Sequence, residues 1–372
     1  MKPIRVMLVD DSALVRQALR EVLTKGTDEF VVTAAVGDPF QAVAKLREEV
    51  PDVIVLDIEM PKMDGVTFLR KLMRQHPIPT VICSSLAHEG ARVTLAALEA
   101  GAIEIIKKPD LSTRAFFEEA QQQIQDIVRA AARANVGRVR PPAAATKKEG
   151  PTHHLTKTTD CVIAVGASTG GTEALAEFLS GFDAHCPGIA IVQHMPAGFT
   201  ATFARRLNEQ FPLDVREAKD GDAIMPGRVL IAPGDHHLEV RRSGAHYHVV
   251  VYQAPPVNRH RPSVDVLFHS AAKQVGANAI GVILTGMGAD GADGMLAMHD
   301  AGAPTVAQDE ATSVVYGMPF EALKRGGVGH VEPLQRVAER VLQLARGQAA
   351  SRAQASIRPN LGTRSRPPVD HD

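Results

Sequence analysis

Three segments of the chain each run from an apolar stretch into a residue able to act as nucleophile, base or acid. "VIAVGASTGGTEAL" carries Ser168 in a glycine-rich turn, "GIAIVQH" closes on His194, and "AIGVILTGMGADG" leads to Asp290. A serine hydroxyl becomes nucleophilic when an imidazole takes its proton, and a carboxylate on the other ring nitrogen holds the imidazole in the working tautomer. The turn itself excludes two other chemistries. A P-loop needs a lysine after its glycines and "GASTGGTEA" has none, while G-x-G-x-x-G fails because position 168 is serine. "GASTG" does fit G-x-S-x-G, in which a strand-to-helix turn lifts the hydroxyl. A helix-capping serine gives the same five residues. His194 and Asp290, at the carboxyl ends of strands of their own, decide for a triad. The order Ser…His…Asp differs from the Ser…Asp…His of an α/β-hydrolase.

A second constellation lies near the N-terminus. Asp10 and Asp11 end one strand-like run, Asp57 a second, Ser84 a third, and Lys108 follows a fourth. In a parallel open sheet these ends share one rim, where ligands bind. Asp at a strand end often only starts a turn, but five such residues at matching ends point to a pocket. Three converging carboxylates repel unless a hard cation neutralises them, and Mg²⁺ with oxygen ligands suits. A carboxylate beside Mg²⁺ and a lysine is a candidate phosphoryl acceptor.

The elements that must position these groups follow from periodicity. "IRVMLVD", "FVVTAAV", "DVIVLD", "TVIC" and "AIEIIKKP" are nearly continuous apolar runs, as buried parallel strands are, and helical patterns alternate with them. Asp38-Pro39 supplies an N-cap and an N1 proline. Residues 1–125 therefore read as a five-stranded, doubly wound, flavodoxin-like α/β domain. Residues 126–158, rich in Ala, Pro, Arg and Lys, read as a flexible linker. Residues 159–347 repeat the alternation with "CVIAVG", "GIAIVQH", "RVLIAP" and "AIGVILTG", giving a second doubly wound, mostly parallel α/β domain. "HHLEVRRSGAHYHVVVY" breaks the pattern as a β-hairpin turning at Ser243-Gly244. Its His236, His237, His246 and His248 have no acidic partner by spacing and read as solvated or packed. Residues 348–372 read as a disordered tail.

Composition narrows the class. The 372 residues carry a formal net charge of −1 with 45% hydrophobic residues, and no apolar run approaches a membrane span. No signal-peptide core follows the N-terminus. Cys83, Cys161 and Cys186 are odd in number and lack metal-ligand spacing, which fits packed thiols in a reducing compartment. The reading is a cytoplasmic protein without membrane insertion. Nucleic acid is not an expected partner, because the basic linker lacks aromatics and no helix-turn-helix carries a basic face.

With "VDDS", "DIEMPKMDG", "CSS" and "KKP", the first 120 residues resemble a two-component receiver domain. The resemblance implies phosphorylation of Asp57, Mg²⁺ held by Asp10 and Asp11 beside Asp57, Ser84 as switch hydroxyl and Lys108 on the phosphoryl group. Receivers often place an aromatic switch residue three positions before that lysine; here Ile105 stands there. Behind it, "GASTGGTEAL", "IVQHMP", "NRHRPSVDVLF" and "ILTGMGADGADGM" resemble, in order, the catalytic domain of chemotaxis protein-glutamate methylesterases, the CheB family.

That second resemblance implies a hydrolase that demethylates glutamate methyl esters and deamidates glutamines, with backbone N–H groups of Thr169 and Met287 as oxyanion donors. Methylated chemoreceptor cytoplasmic domains are the implied substrate, a histidine kinase the phosphodonor, and no metal is needed for the ester chemistry. A receiver-regulated serine esterase of another ester or peptide is the alternative. Arg259, His260 and Arg261 stay open: substrate contacts, or a loop leading to a helix capped near Ser263. One chain holding both sites suggests that the unphosphorylated receiver covers the Ser168 rim.

Overall fold

The computed structural model describes residues 2–61, 63–84, 90–108, 114–134 and 161–357. In the N-terminal part β1 (Ile4–Val9), α1 (Ala13–Thr24), β2 (Phe30–Val36), α2 (Pro39–Glu48), β3 (Val53–Asp57), α3 (Gly65–Gln75), β4 (Thr80–Ser84), α4 (Gly90–Glu99), β5 (Glu104–Lys107) and α5 (Arg114–Arg133) alternate. The strands form one five-stranded sheet in the order β2-β1-β3-β4-β5, and every pairing is parallel. Parallel pairing with helices on both faces buries the strands completely, hence the unbroken apolar runs of β3 and β4. Local chemistry sets the helix starts. Ser12 caps α1, and Asp38 accepts from the N–H groups of Phe40 and Gln41, each at 2.9 Å, ahead of Pro39 at N1.

Helix α5 does not stop at residue 125. It continues to Arg133, inside the stretch that composition marked as linker. Ile124, Val128 and Ala131 are buried against the N-terminal core, and Arg129 pairs with Glu29. Small apolar residues at helical spacing were hidden among the alanines and arginines. The expected linker from 135 to 158 lies outside the described residues.

The C-terminal part contains β6 (Val162–Ala167), α6 (Gly171–Leu179), β7 (Gly188–Gln193), α7 (Phe199–Gln210), β8 (Asp214–Glu217), β9 (Ala223–Ile224), β10 (Arg228–Ile231), β11 (His237–Ser243) and β12 (His246–Tyr252). It continues with α8 (Val264–Gln274), β13 (Ala279–Ile283), α9 (Ala292–Asp300), β14 (Thr305–Gln308), α10 (Met318–Lys324), β15 (His330–Glu332) and α11 (Leu334–Ile357). Seven strands make a wholly parallel sheet in the order β15-β14-β13-β6-β7-β10-β8, and β11 and β12 pair antiparallel as the expected hairpin, joined by β9. Helices α6, α7 and α11 cover one face; α8, α9, α10 and the hairpin cover the other. The winding direction reverses between β6 and β13, which opens a crevice at their carboxyl ends. Helix α11 runs to Ile357, ten residues into the expected disordered tail; residues 358–372 lie outside the description. Among the described residues no helix is long and apolar enough to cross a membrane.

The two sheets are not independent bodies. One cluster of buried side chains continues from Ile82 and Leu98 to Phe203 and Leu207. Val314 and Val315, from the loop after β14, pack against the N-terminal core.

Candidate active site

The central strands β13, β6 and β7 deliver Asp290, Ser168 and His194 to one crevice. Ala167 pairs with Gln193 at the end of the β6–β7 ladder, so Ser168 and His194 emerge side by side, and the His194 N–H donates to Ala167 O at 3.1 Å. Gln193 locks this corner: its Nε2 donates to Ser168 O at 2.9 Å and to His194 O at 3.1 Å. The Ser168 N–H is used by Thr285 O at 3.0 Å, which ties β6 to the turn after β13. All three side chains are buried or nearly so, with 7% of Ser168 and 2% of Asp290 exposed.

His194 Nε2 lies 2.8 Å from Asp290 Oδ2. A carboxylate can only accept, so Nε2 carries the proton and Nδ1 is the basic nitrogen. That Nδ1 is buried with no partner among the described residues. No hydrogen bond joins it to the Ser168 hydroxyl in this state.

Asp290 is held by far more than the histidine. Its carboxylate accepts from Ser263 Oγ at 2.7 Å, Asn258 Nδ2 at 2.8 Å, Val264 N at 2.6 Å and Asp265 N at 3.3 Å. The last two are the first free N–H groups of α8, whose positive end therefore points at the carboxylate. Burial alone would raise its pKa, but His194, Asn258 and Ser263 outweigh that and hold Asp290 well below the usual carboxylate range. Gly166 makes the arrangement possible: a Cβ there would run into the Val264 side chain, forcing the start of α8 away. Ser263 does stand at the helix start, yet its hydroxyl serves Asp290 rather than the helix.

The Thr169 and Met287 N–H groups, beside Ser168 and in the turn after β13, donate to no partner among the described residues. Gly286 lets this turn close on Ser168: a Cβ there would lie 2.8 Å from Ser168 Cβ. His260 stacks on His194, with ring centroids 3.8 Å apart and planes within 7°. Sequence reasoning left His260 undecided and did not find Gln193, Asn258 or Ser263. The adjacency of "NRHRPS" to a helix start hinted at Asn258 and Ser263, and Gln193 stands beside His194 in "IVQHMP". Arg261 instead pairs with Asp235, and Arg259 is exposed. His237 is packed: its ring accepts from the Ser263 N–H and contacts Pro255 O at 3.1 Å.

The other rim gathers Asp10 and Asp57, both 1% exposed, the exposed Asp11, and Lys108. Lys108 Nζ lies 2.8 Å from Asp57 Oδ2 and 3.1 Å from Asp10 Oδ2. Burial pushes Asp57 upward and the Asp10 charge adds to it, exceeding the pull of Lys108. Asp10 Oδ2 is buried with the Lys108 ammonium as its one close partner among the described residues, and oxygens of Asp10, Asp11 and Asp57 lie within 4.8 Å of one another. A hard divalent cation fits that donor set. Ser84 ends β4, buried, and its carbonyl accepts from Lys108 N at 3.0 Å.

At the seam between the two parts, Thr169 Oγ1 donates to Glu104 Oε2 at 2.8 Å, Arg206 Nε lies 2.8 Å from Glu99 Oε1, and Arg259 Nη1 lies 3.6 Å from Asp126 Oδ2. Burial pushes Glu104 and Glu173 each up to about 7.

Comparison with known proteins agrees with this architecture. Residues 163–341 match the CheB methylesterase family and residues 6–115 the response regulator receiver domain. The chain is 55% identical over 354 residues to "Protein-glutamate methylesterase/protein-glutamine glutaminase 5" of Anaeromyxobacter dehalogenans, covering 93% of this chain and 98% of that one. It is 52% identical over 358 residues to "Protein-glutamate methylesterase/protein-glutamine glutaminase 2" of Rhizobium johnstonii, covering 92% and 98%. The crystal structure of the Thermotoga maritima CheB methylesterase catalytic domain aligns with 36% identity and a TM-score of 0.48, over 50% of this chain and 98% of that one. Matched in both parts and over nearly its whole length, the chain belongs to the CheB family of receiver-linked protein-glutamate methylesterases.

Proposed function

We propose that the chain hydrolyses glutamate methyl esters, and deamidates glutamines, on the cytoplasmic domains of chemoreceptors, under control of phosphorylation at Asp57. Ser168 Oγ attacks the side-chain carbonyl carbon while its proton passes to His194 Nδ1. Asp290 stabilises the imidazolium through Nε2–H, and the oxyanion is received by the N–H groups of Thr169 and Met287. The carbon–oxygen bond to the methoxy group then breaks, His194 returns the proton to the leaving oxygen, and methanol departs. Water, deprotonated by the same Nδ1, attacks the glutamyl-enzyme; the bond to Ser168 breaks, His194 returns the proton to Ser168 Oγ, and the free carboxylate leaves. With glutamine the leaving group is ammonia. The observation that carries this reading is that Ser168 and His194 emerge from paired strands, with the far ring nitrogen already bonded to Asp290.

In the receiver, Asp57 is the phosphoryl acceptor, with a histidine kinase as donor. Mg²⁺ held by Asp10, Asp11 and Asp57 would stabilise charge on the transferring group; Lys108 contacts the phosphoryl oxygens, and Ser84 reads their presence. The unphosphorylated receiver covers the catalytic rim. Glu104 supports that view, since it binds the hydroxyl of Thr169 from the strand that leads to Lys108. Ile105, where an aromatic switch often stands, is 4% exposed and packed in the core, so the signal is better carried by β5 itself. Incubating methyl-labelled receptor membranes with wild-type protein and with Ser168→Ala tests the reaction. Volatile label should appear with the first and not the second; turnover by the variant would place the nucleophile elsewhere.

A further inference from the structure

His260 has no part in the chemistry above, yet it lies flat against His194. A tight turn brings it there. Val257 and His260 exchange backbone hydrogen bonds, 3.0 Å from Val257 N to His260 O and 2.9 Å in return. Asn258 and Arg259 are the two residues between, both in the left-handed region with φ of 51° and 66°. That backbone is costly for arginine and persists only where the surroundings hold it. The holding group is Asn258, whose Nδ2 donates to Asp290 Oδ1 at 2.8 Å and to Asp265 Oδ2 at 2.6 Å. One carboxylate thus anchors the edge of the His194 ring and, through Asn258, the turn that lays a second ring on its face.

Two other roles for His260 fail on geometry and charge. Nitrogens of His194 and His260 and an oxygen of Asp290 lie within 4.8 Å of one another. Metal ligation needs in-plane lone pairs that converge on one point, and lone pairs on parallel, stacked rings do not. As a general acid His260 is also unsuited. Burial, with the nearby His194 charge, pushes it down to about 4, so it is neutral at physiological pH.

We infer that His260 is a positioning residue for the proposed triad: its flat ring fixes the plane of His194, leaving Nδ1 for Ser168, and offers a π face to the imidazolium formed during attack. The inference rests on the Ser168–His194 reading given above. His260 itself takes up no proton. A face-on aromatic contact to a desolvated cation is the interaction at stake, present only while His194 is charged, so the effect belongs in kcat rather than in substrate binding.

The test uses the full chain with saturating phosphodonor and measures kcat and KM for methanol release in His260→Ala and His260→Phe, with Ser168→Ala alongside. In His260→Ala, kcat should fall roughly ten- to thirtyfold with KM within about twofold. In His260→Phe, which keeps a flat uncharged ring, kcat should return to within about threefold of wild type, with the acid limb of the pH profile unmoved. Wild-type kcat in the alanine variant overturns the inference. Equal damage in both variants also overturns it, by showing that the nitrogens of His260 act. A rise in KM alone overturns it too, by making His260 a substrate contact. Should the alanine variant not fold, the phenylalanine variant decides alone, near-full activity supporting the stack and a large loss refuting it. Turnover by Ser168→Ala would condemn the catalytic reading itself, which is a separate outcome.

Discussion

The two rims of this molecule are built on the same plan and solve opposite electrostatic problems. Each sits at the carboxyl ends of a buried parallel sheet, and each centres on one sequestered carboxylate, Asp57 or Asp290. Around Asp290 five donors converge, two of them from the start of α8, and its charge is held firmly. Around Asp57, among the described residues, Lys108 faces two buried acids and the Glu59 N–H donates at 3.3 Å, and Asp57 is still pushed upward by burial. An over-satisfied carboxylate is a fixed electrostatic support that need never change state. One with fewer donors suits the proposed binding of a cation and acceptance of a phosphoryl group. Donor supply among the described residues, rather than fold or residue type, separates the proposed catalytic rim from the proposed regulatory one.

The comparison breaks first at the catalytic rim. Ser168→Ala should lower methanol release by about 10⁴-fold or more, with the thermal unfolding midpoint little changed. Asp290→Asn should cost on the order of 10³- to 10⁴-fold in kcat, because an amide can fix the wrong imidazole tautomer. It should also destabilise the protein by roughly 1–3 kcal/mol, since the start of α8 loses its anion. At the regulatory rim Asp57→Asn should leave the unstimulated rate within about twofold of wild type and abolish the response to phosphodonor. A stimulated variant would show that the two rims are not coupled through Asp57.

A smaller effect is expected at the seam. Glu104 and Glu173 ionise near 7 when docked, against an ordinary value near 4.5. The docked state therefore holds more protons, and docking is strongest below about 4.5, weakens as pH rises through that interval, and levels off above about 7. Facing this pair among the described residues are Glu99, another acid, and Arg206, a cation. The ratio of unstimulated to phosphodonor-stimulated activity should rise with pH over that window by a few-fold, since both side chains keep some access to water. In Glu104→Gln the rise should shrink; a ratio flat with pH in wild type would detach these carboxylates from docking.

Much of this was readable from residues alone. Long apolar runs marked the buried strands; Ser168 and His194 directly follow β6 and β7, and Asp290 stands in the turn between β13 and α9. Less was readable where burial is partial or the partner is remote. "DVRE" of β8 lies at a sheet edge and "TVAQ" of β14 is only four residues long, so neither stood out as a strand. The reach of α5 was masked because alanines that pack a helix look like alanines in a linker. The donors on Asp290 come from a helix start some 25 residues earlier, and the His260 stack depends on a left-handed turn, so both are tertiary facts.

One measurement bears most directly on a regulated Ser168: the rate and site of labelling of the full chain by a serine-directed phosphonate, with and without phosphodonor. Label on the Ser168 peptide, forming several-fold faster once Asp57 is phosphorylated, is the predicted result. Label on another residue, or one rate under both conditions, would contradict it.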